Sequence, residues 1–588
     1  IAQCLVGSEM CIRDRDNTGI QGIEDSWNSV LQGTPGKITT STDAIQEEIP
    51  DSNQTYIPAE NGSDIVLTID YYIQTVLEKY LKQAVEENNA DSGTVVAMAP
   101  STGDILGMAC YPDYNLNTPF EPNTEELKAT WDTLDSTTQS DALYNMWKNN
   151  VVSSPYEPGS PYKLITAATA LEENITSEDV PNDFYCNGSI EVADRKISCW
   201  TQAHKGAKTL RQALQVSCNP SLIQLGQRIG AETLYKYYQA FGFFDKTGID
   251  LPQEASSTYW KLEDVKDVEL ATMSFGQRFT ITPIQLVSAV SAIANDGILM
   301  KPRIVKQIIN PETGTTTDIE PVQVRQVISK STSERMRNLM KSVVDDGSGR
   351  LAKVEGYSIG GKTGTSEPQA GREDEGYIAS YVAIAPTEKP EICLLIAVHN
   401  PNPNNEGSHQ GGQVCGPVVS QMLSEILPYL GLTSSNAQTS TDTVEEDTSY
   451  ATVPDIRNKT VTEAEKLLKQ AGFTTKVNIS GDKNSTLVTD QTPKPGSSIP
   501  KGSIIVLYTE ENDTRVSVKV PDFKDKTLAQ AENMAKANNL NITTEGSGTV
   551  ISQSIMVDTA VEEGTIIKLT LSTESDGTNP VSYTHLRA

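Results

Sequence analysis

The feature that most constrains this chain is an internal repeat near its C-terminal end. The stretch VPDIRNKTVTEAEKLLKQAGF, opening at Val453, is answered by VPDFKDKTLAQAENMAKANNL at Val520, 67 residues later. Thr460 corresponds to Thr527 and Ala464 to Ala531, so the register holds through a helix-like segment. Each unit then ends in an apolar run after glycine, GSIIVLYT and GTIIKLTL, which reads as a strand. Helix plus paired strands at this length make one small α/β module each, over 451–511 and 516–573. Two copies are too few for a solenoid, so beads on a string are expected. The copies differ at one place: Gln491-Thr492-Pro493-Lys494-Pro495-Gly496 has only Gln553-Ser554 opposite it.

Residues 433–450 precede the repeat and change character. They are rich in Ser and Thr, carry Asp442, Glu445, Glu446 and Asp447, and hold one large aliphatic side chain, Val444. Such a segment buries too little surface to fold and reads as a disordered linker, its seventeen residues before Tyr450 spanning roughly 20–25 Å. Upstream, residues 65–432 form one large unit. Asp70 is placed to cap a helix in which Ile73, Val76, Leu77, Tyr80, Leu81, Ala84 and Val85 recur at helical spacing. GTVVAMAPSTGDILGMA then reads as a hairpin turning at Pro100-Ser101-Thr102-Gly103. Helical and strand-like segments alternate irregularly from there on, which predicts an α+β domain rather than a βαβ array. Residues 16–64 are polar, with a short helical patch at 23–31. The ends, 1–15 and 580–588, resemble translated adapter sequence and are set aside.

Composition excludes several kinds of function. The 588 residues carry 77 acidic and 47 basic side chains, a formal net charge of −30, which argues against a nucleic-acid partner. No apolar run approaches the ~18 residues of a membrane span. The four histidines, His204, His399, His409 and His585, form no HExxH pair, and no GxSxG occurs. A zinc hydrolase is therefore not expected, nor any metal or cofactor, and a nucleophile must find its base elsewhere. Outside the N-terminal segment the cysteines are Cys110, Cys186, Cys199, Cys218, Cys393 and Cys415, too few for a disulfide scaffold.

Three short motifs carry chemistry. Ser160-Pro161-Tyr162-Lys163 places a hydroxyl and an amine three residues apart at the start of a helical pattern, where both project from one face. Without a histidine, a neutral lysine is the available base. That requires a shift from ~10.4 towards ~7, about 4–5 kcal/mol. Ser217-Cys218-Asn219 offers a hydroxyl and an amide to one cleft; on its own it reads better as a helix-ending turn. Lys-Thr-Gly occurs twice. Lys246-Thr247-Gly248 sits in a turn before a proline, whereas Lys362-Thr363-Gly364-Thr365 precedes two strand candidates, where glycine lets a substrate backbone approach. The second copy is taken as functional.

This ordered triplet is shared by β-lactamases and penicillin-binding proteins. With GIQGIEDSWNSVLQGTPG, LTIDYYIQ, APSTGDILGMACYPDYN and ITPIQLVSAVSAIANDG, the chain resembles a class B penicillin-binding protein of the division or sporulation type. The repeats resemble PASTA modules, and 16–64 the tail of a pedestal domain. The resemblance implies a serine D,D-transpeptidase acting on peptidoglycan stem peptides and acylated by β-lactams. Ser160 would be the nucleophile, Lys163 its base, Ser217 a proton donor and Asn219 a substrate ligand. Lys362, Thr363, Gly364 and Thr365 would bind the substrate, with the backbone N–H groups of Ser160 and Thr365 as oxyanion hole. It further implies a membrane helix upstream, the extracytoplasmic face of a Gram-positive cell membrane, and a division or sporulation glycosyltransferase as partner. A D,D-carboxypeptidase, a hydrolytic β-lactamase and a catalytically silent wall-binding scaffold are the rival readings. Finally, Cys218 lies within the second motif and Cys199 nineteen residues before it; they are either apolar fillers or a redox pair whose disulfide would displace Ser217.

Overall fold

Runs such as VVAM, YVAIA and CLLIAV predict strands buried on both faces, and a computed structural model of the chain places them together in one sheet. The structure describes residues 11–13, 18–39, 55–368, 376–404, 407–432, 450–477, 479, 481–510, 515–545 and 548–572. The linker proper, 433–449, and the C-terminal segment 580–588 lie outside them. Cys11–Arg13, within the N-terminal segment set aside, pairs antiparallel with Gly19–Gln21. Among the described residues, no helix is long and apolar enough to cross a membrane. The chain divides into two units, residues 1–424 and 425–588.

The core of the first unit is a five-stranded antiparallel sheet. Strands β1 (Ser92–Met98) and β2 (Ile105–Tyr111) form the hairpin expected at Pro100, and β3 (Gly360–Ser366), β4 (Ile378–Ala385) and β5 (Ile392–His399) complete the order β3-β4-β5-β1-β2. Helix α1 (Tyr71–Glu87) packs on β1 and β2. Asp70 caps it, its Oδ1 accepting from the N–H of Tyr72 at 2.9 Å and of Ile73 at 3.1 Å. Glycines in the strands beneath let this helix sit close: a Cβ on Gly93 would lie 2.8 Å from Leu81, and one on Gly107 2.9 Å from Leu77.

Four more helices position the site: α2 (Lys163–Glu172), α3 (Asn219–Ile229), α4 (Pro283–Ala294) and α5 (Lys330–Asp346). Every residue of α4 is buried, against β1, β4 and β5, so hydrophobic burial rather than amphipathic patterning holds it. Its start is set by Pro283 at the first position and by a capping box between Thr282 and Gln285. Helix α2 is buried from Lys163 to Leu171 and packs against α3, α4 and α5, while α5 also packs on β3. The sheet edge and the buried helix are thus fixed to one another through α5. The arrangement is the expected α+β.

The repeat extends to topology in the second unit. Each module caps its helix with a box, Thr460–Glu463 before Val461–Gln470 and Thr527–Gln530 before Leu528–Ala537. Each also centres its sheet on the last strand, Ile504–Thr509 or Ile566–Ser572, parallel to one neighbour and antiparallel to the other. Tyr450, expected to close the linker, opens the strand Tyr450–Thr452 paired with Ser498–Pro500.

The expectation of separate beads is corrected: the two modules dock. Asn541, 3% exposed, accepts from Ile504 N at 2.8 Å through its Oδ1, and its amide nitrogen donates to Ile504 O at 2.8 Å and Gly564 O at 2.9 Å. Lys476 pairs with the buried Glu563 carboxylate at 2.7 Å, and Arg515 bridges Asp490 and Glu562. None of these residues is repeated between the copies, so the repeat pattern carries no trace of the contact. Removing the Asn541 side chain leaves buried backbone groups unpaired, at about 1–3 kcal/mol each. Asn541→Ala is expected to lower the unfolding free energy of the module pair by at least the about 1–3 kcal/mol of one unpaired group, read by denaturant unfolding of the full chain, while penicillin labelling stays at the wild-type level.

Candidate active site

The turn before α2 is built by glycine, proline and an aromatic anchor. Gly159 has φ +57, and its N–H donates to Gly276 O at 2.9 Å. Gly276, at φ +89, passes so close that a Cβ there would lie 2.0 Å from Gly159 O, so no other residue fits. Ser160–Tyr162 then form a single 3₁₀ turn leading into α2. The Tyr162 ring is fully buried among Tyr238, Phe243 and Phe279, with ring centroids 4.9, 5.1 and 4.7 Å away. This anchor holds Ser160 and Lys163 one turn apart on the same face, as the spacing predicts.

Ser217 follows the helix Leu210–Gln215 in a left-handed conformation, φ +51, a strained geometry for a residue with a side chain. The kink turns its hydroxyl toward α2. Lys163 Nζ lies 2.8 Å from Ser217 O, 2.6 Å from Asn219 Oδ1 and 3.2 Å from Ser217 Oγ. From the other side Lys362 Nζ donates to Ser217 Oγ at 2.9 Å and to Thr363 O at 3.0 Å. Ser217 Oγ in turn donates to Ser160 Oγ at 2.9 Å. One hydroxyl therefore joins the proposed nucleophile to both amines. The sequence reading sends the Ser160 proton straight to Lys163; the hydrogen bonds place Ser217 between them.

Both amines are fully buried. Burial pushes Lys163 down to about 8, partly opposed by the neighbouring Cys218 and Cys199 thiols. Lys362 is held well below the usual lysine range, by burial first and by the charge of Lys163 second. A neutral Lys163 has two N–H bonds and one lone pair. Ser217 O and Asn219 Oδ1 are acceptors that take the two N–H bonds, which leaves a lone pair 3.2 Å from Ser217 Oγ, able to take the hydroxyl proton once that hydroxyl turns from Ser160 to accept from it.

A cavity of about 510 Å³ opens in front of this network, lined by Ser160, Ser217, Asn219, Thr363, Gly364 and Thr365. Lys163 and Lys362 stand behind its wall. Gly364 is pinned there: a Cβ would lie 2.2 Å from Ser380 Oγ and 2.6 Å from Pro161 Cδ. The Thr365 hydroxyl accepts from Gly411 N at 3.2 Å, and Thr363 Oγ1 lies 3.0 Å from Ser348 Oγ. Sequence reasoning missed Ser348, Trp200 and the Tyr377–His409 stack, with ring centroids 4.0 Å apart, which also line the cavity. None stands in a motif; each is brought in by a loop. The other Lys-Thr-Gly is a closed turn, as expected: Thr247 and Gly248 donate their backbone N–H groups to the buried Glu254 carboxylate.

Behind the Ser217 turn four potential metal ligands converge. The Sγ atoms of Cys186, Cys199 and Cys218 and a ring nitrogen of His204 all lie within 4.8 Å of one another. Cys199 Sγ and His204 Nε2 are 3.0 Å apart. Cys199 and Cys218 are both free thiols.

Residues 93–424 match the family described as the penicillin binding protein transpeptidase domain, and residues 451–511 and 518–573 match the PASTA domain. Stage V sporulation protein D of Bacillus subtilis is 36% identical over 504 residues, spanning 85% of this chain and 73% of that protein. The crystal structure of penicillin binding protein 3 from Mycobacterium tuberculosis superposes with a TM-score of 0.61 at 26% identity, over 73% of this chain and 89% of that one. Its complex with aztreonam gives a TM-score of 0.60 at 26% identity, over 74% and 89%. The site just described thus sits in a fold and a sequence context that agree, and the chain belongs to the penicillin-binding protein transpeptidase family, with two PASTA domains after the transpeptidase domain.

Proposed function

We propose that the chain is a serine-type peptidoglycan D,D-transpeptidase in which Ser217 relays protons between Ser160 and Lys163. The observation that carries this reading is the single hydroxyl, Ser217 Oγ, within 2.9 Å of Ser160 Oγ, 3.2 Å of Lys163 Nζ and 2.9 Å of Lys362 Nζ. Burial lowers the Lys163 amine to about 8, which favours the neutral form that it needs to act as base.

The steps follow from those contacts. Ser160 Oγ attacks the carbonyl carbon between the two terminal D-alanines of a stem peptide. Its proton passes to Ser217 Oγ as the Ser217 proton passes to Lys163 Nζ. The backbone N–H groups of Ser160 and Thr365 hold the oxyanion. Collapse breaks the C–N bond, and the proton returns through Ser217 to the leaving amine, freeing D-alanine and leaving an ester on Ser160. An amine from a neighbouring stem attacks that ester by the reverse proton path, which forms the cross-link. Among the described residues, strand β3 pairs with β4 along one edge only, and its other edge would receive the stem backbone as an added strand. Thr363 and Thr365, already oriented by Ser348 and Gly411, contact the terminal carboxylate. Lys362 acts from behind them, its charge restored as the carboxylate arrives.

The solved complex of the Mycobacterium tuberculosis relative with aztreonam supports binding of β-lactams by this chain, and the same attack by Ser160 Oγ would acylate it with them. The substrate places the enzyme on the extracytoplasmic side of a cell membrane, with a glycosyltransferase supplying the glycan strands. Ser160→Ala is expected to abolish covalent labelling by a fluorescent penicillin without changing the unfolding transition; undiminished labelling contradicts the assignment. Lys163→Ala is expected to slow acylation about 10²–10⁴-fold, and Lys246→Ala to leave it unchanged. Gly364→Ala drives a methyl group into Pro161 and Ser380 and moves β3 against the Ser160 turn. Misplacement of about 1 Å costs ~100-fold, so stopped-flow acylation of that variant is expected to slow by about this factor with circular dichroism unaltered.

A further inference from the structure

We propose that Cys186, Cys199, His204 and Cys218 bind one Zn²⁺ ion in a closed tetrahedral site that holds the turn carrying Ser217 and Asn219. The expectation of no metal rested on histidine pairs alone. The structure corrects its premise, because the ligand set is three thiols and one imidazole drawn from three separate segments.

Local structure brings the four together. Cys186 ends the strand Phe184–Cys186, and the hairpin of Ser189–Val192 with Arg195–Ser198 returns the chain so that Cys199 N donates to Gly188 O at 2.9 Å. Gly188, at φ +86, turns its own N–H onto Cys186 Sγ at 3.4 Å, an outer-shell bond that orients the sulfur. His204 follows in the same loop as Cys199. Cys218 stands at the N-cap of α3, between Ser217 and Asn219. Tetrahedral zinc, with Zn–S near 2.3 Å and Zn–N near 2.0 Å, sets its donor atoms roughly 3.5–3.8 Å apart. Four donors already within 4.8 Å of one another need only small rotations to meet it.

Ordinary core packing does not account for the cluster. Cys393 and Cys415 show what that looks like here: each is a single buried thiol bonded to one carbonyl, of Val287 and of Ala379. Charge also fits. Three thiolates and one Zn²⁺ carry a net −1, and the buried Lys208 amine donates to the carbonyl of His204, a ligand residue. All four positions are filled by protein, so the ion has no place for a water and is structural rather than hydrolytic.

The consequence falls on the active site. Cys218 is covalently flanked by both Ser217 and Asn219, and Trp200, next to Cys199, donates its indole N–H to Val216 O at 3.0 Å. Ligation would therefore fix the segment on both sides of the strained Ser217. A disulfide between Cys199 and Cys218 would use two of the same sulfurs, so ion and disulfide exclude one another. The positioning half of the proposal rests on the relay role given to Ser217 above; metal binding does not.

The test uses the full chain, stripped with chelator under a non-thiol reductant and titrated with Zn²⁺ and, separately, Co²⁺. One equivalent of Zn²⁺ is expected to bind tightly. The Co²⁺ form is expected to show thiolate-to-cobalt charge transfer and the strong visible bands of a tetrahedral ion. Outer-shell partners alone are worth about 10–100-fold in metal affinity, so Cys186→Ser is expected to lose at least that much, and Cys393→Ser none. Failure of the reduced chain to take up Zn²⁺, a weak six-coordinate Co²⁺ spectrum, or unchanged affinity in Cys186→Ser overturns the site. Stripping is expected to slow penicillin acylation by at least about 10-fold, with recovery on adding Zn²⁺; an unchanged rate overturns the positioning role and leaves the ion's binding decided by the titration.

Discussion

The hydroxyl of Ser217, held between two buried amines, is the interaction on which the rest of the site depends. Water would keep both lysines charged and the hydroxyl indifferent. Here both amines are fully buried, so each is shifted toward its neutral form, and among the described residues neither pairs with a carboxylate. The fold supplies that environment at some cost. A left-handed Ser217, a glycine pair at 159 and 276 and a fully buried helix start are all needed to bring three segments within hydrogen-bond distance. Each is locally unfavourable, and the aromatic nest around Tyr162 together with the packing of α5 against β3 offsets them.

What was legible in the sequence follows from how each feature is encoded. Ser160, Lys163, Ser217, Asn219 and Lys362 stand in short motifs whose spacing is local, so they could be found by reading along the chain. The Asp70 cap and the hairpin at Pro100 are local too. The contact that suggests a relay was not legible, because Ser217 Oγ and Lys163 Nζ approach across 54 residues of chain and only the strained backbone decides which oxygen the amine meets. Ser348 and the Tyr377–His409 stack were invisible for the same reason: loops deliver them, without a pattern of their own.

Two larger features show the limits of pattern reading more sharply. The repeat was plain in sequence, yet it misled about assembly, since the residues that dock the modules, Asn541, Lys476 and Glu563, lie where the copies differ. The thiol–imidazole cluster was half seen. Cys199 and Cys218 were paired by proximity to a motif, while Cys186 and His204 join them only after a hairpin and a loop have closed. Convergence of these side chains is a property of the fold, and the loop after the same hairpin reaches the strained turn beside Ser160 through Trp200, whose indole N–H donates to Val216 O.

The central claim is that Ser160, Ser217 and Lys163 act as one proton-transfer unit rather than as independent contributors. A double-mutant cycle on the rate of penicillin acylation, with Ser217→Ala, Lys163→Ala and the pair, tests this most directly. If the hydroxyl carries the proton to the amine, removing either breaks the same path, and the double variant is expected to be about as slow as the slower single variant. Rate losses that multiply in the double variant would mean that Ser217 and Lys163 act separately, and would contradict the relay.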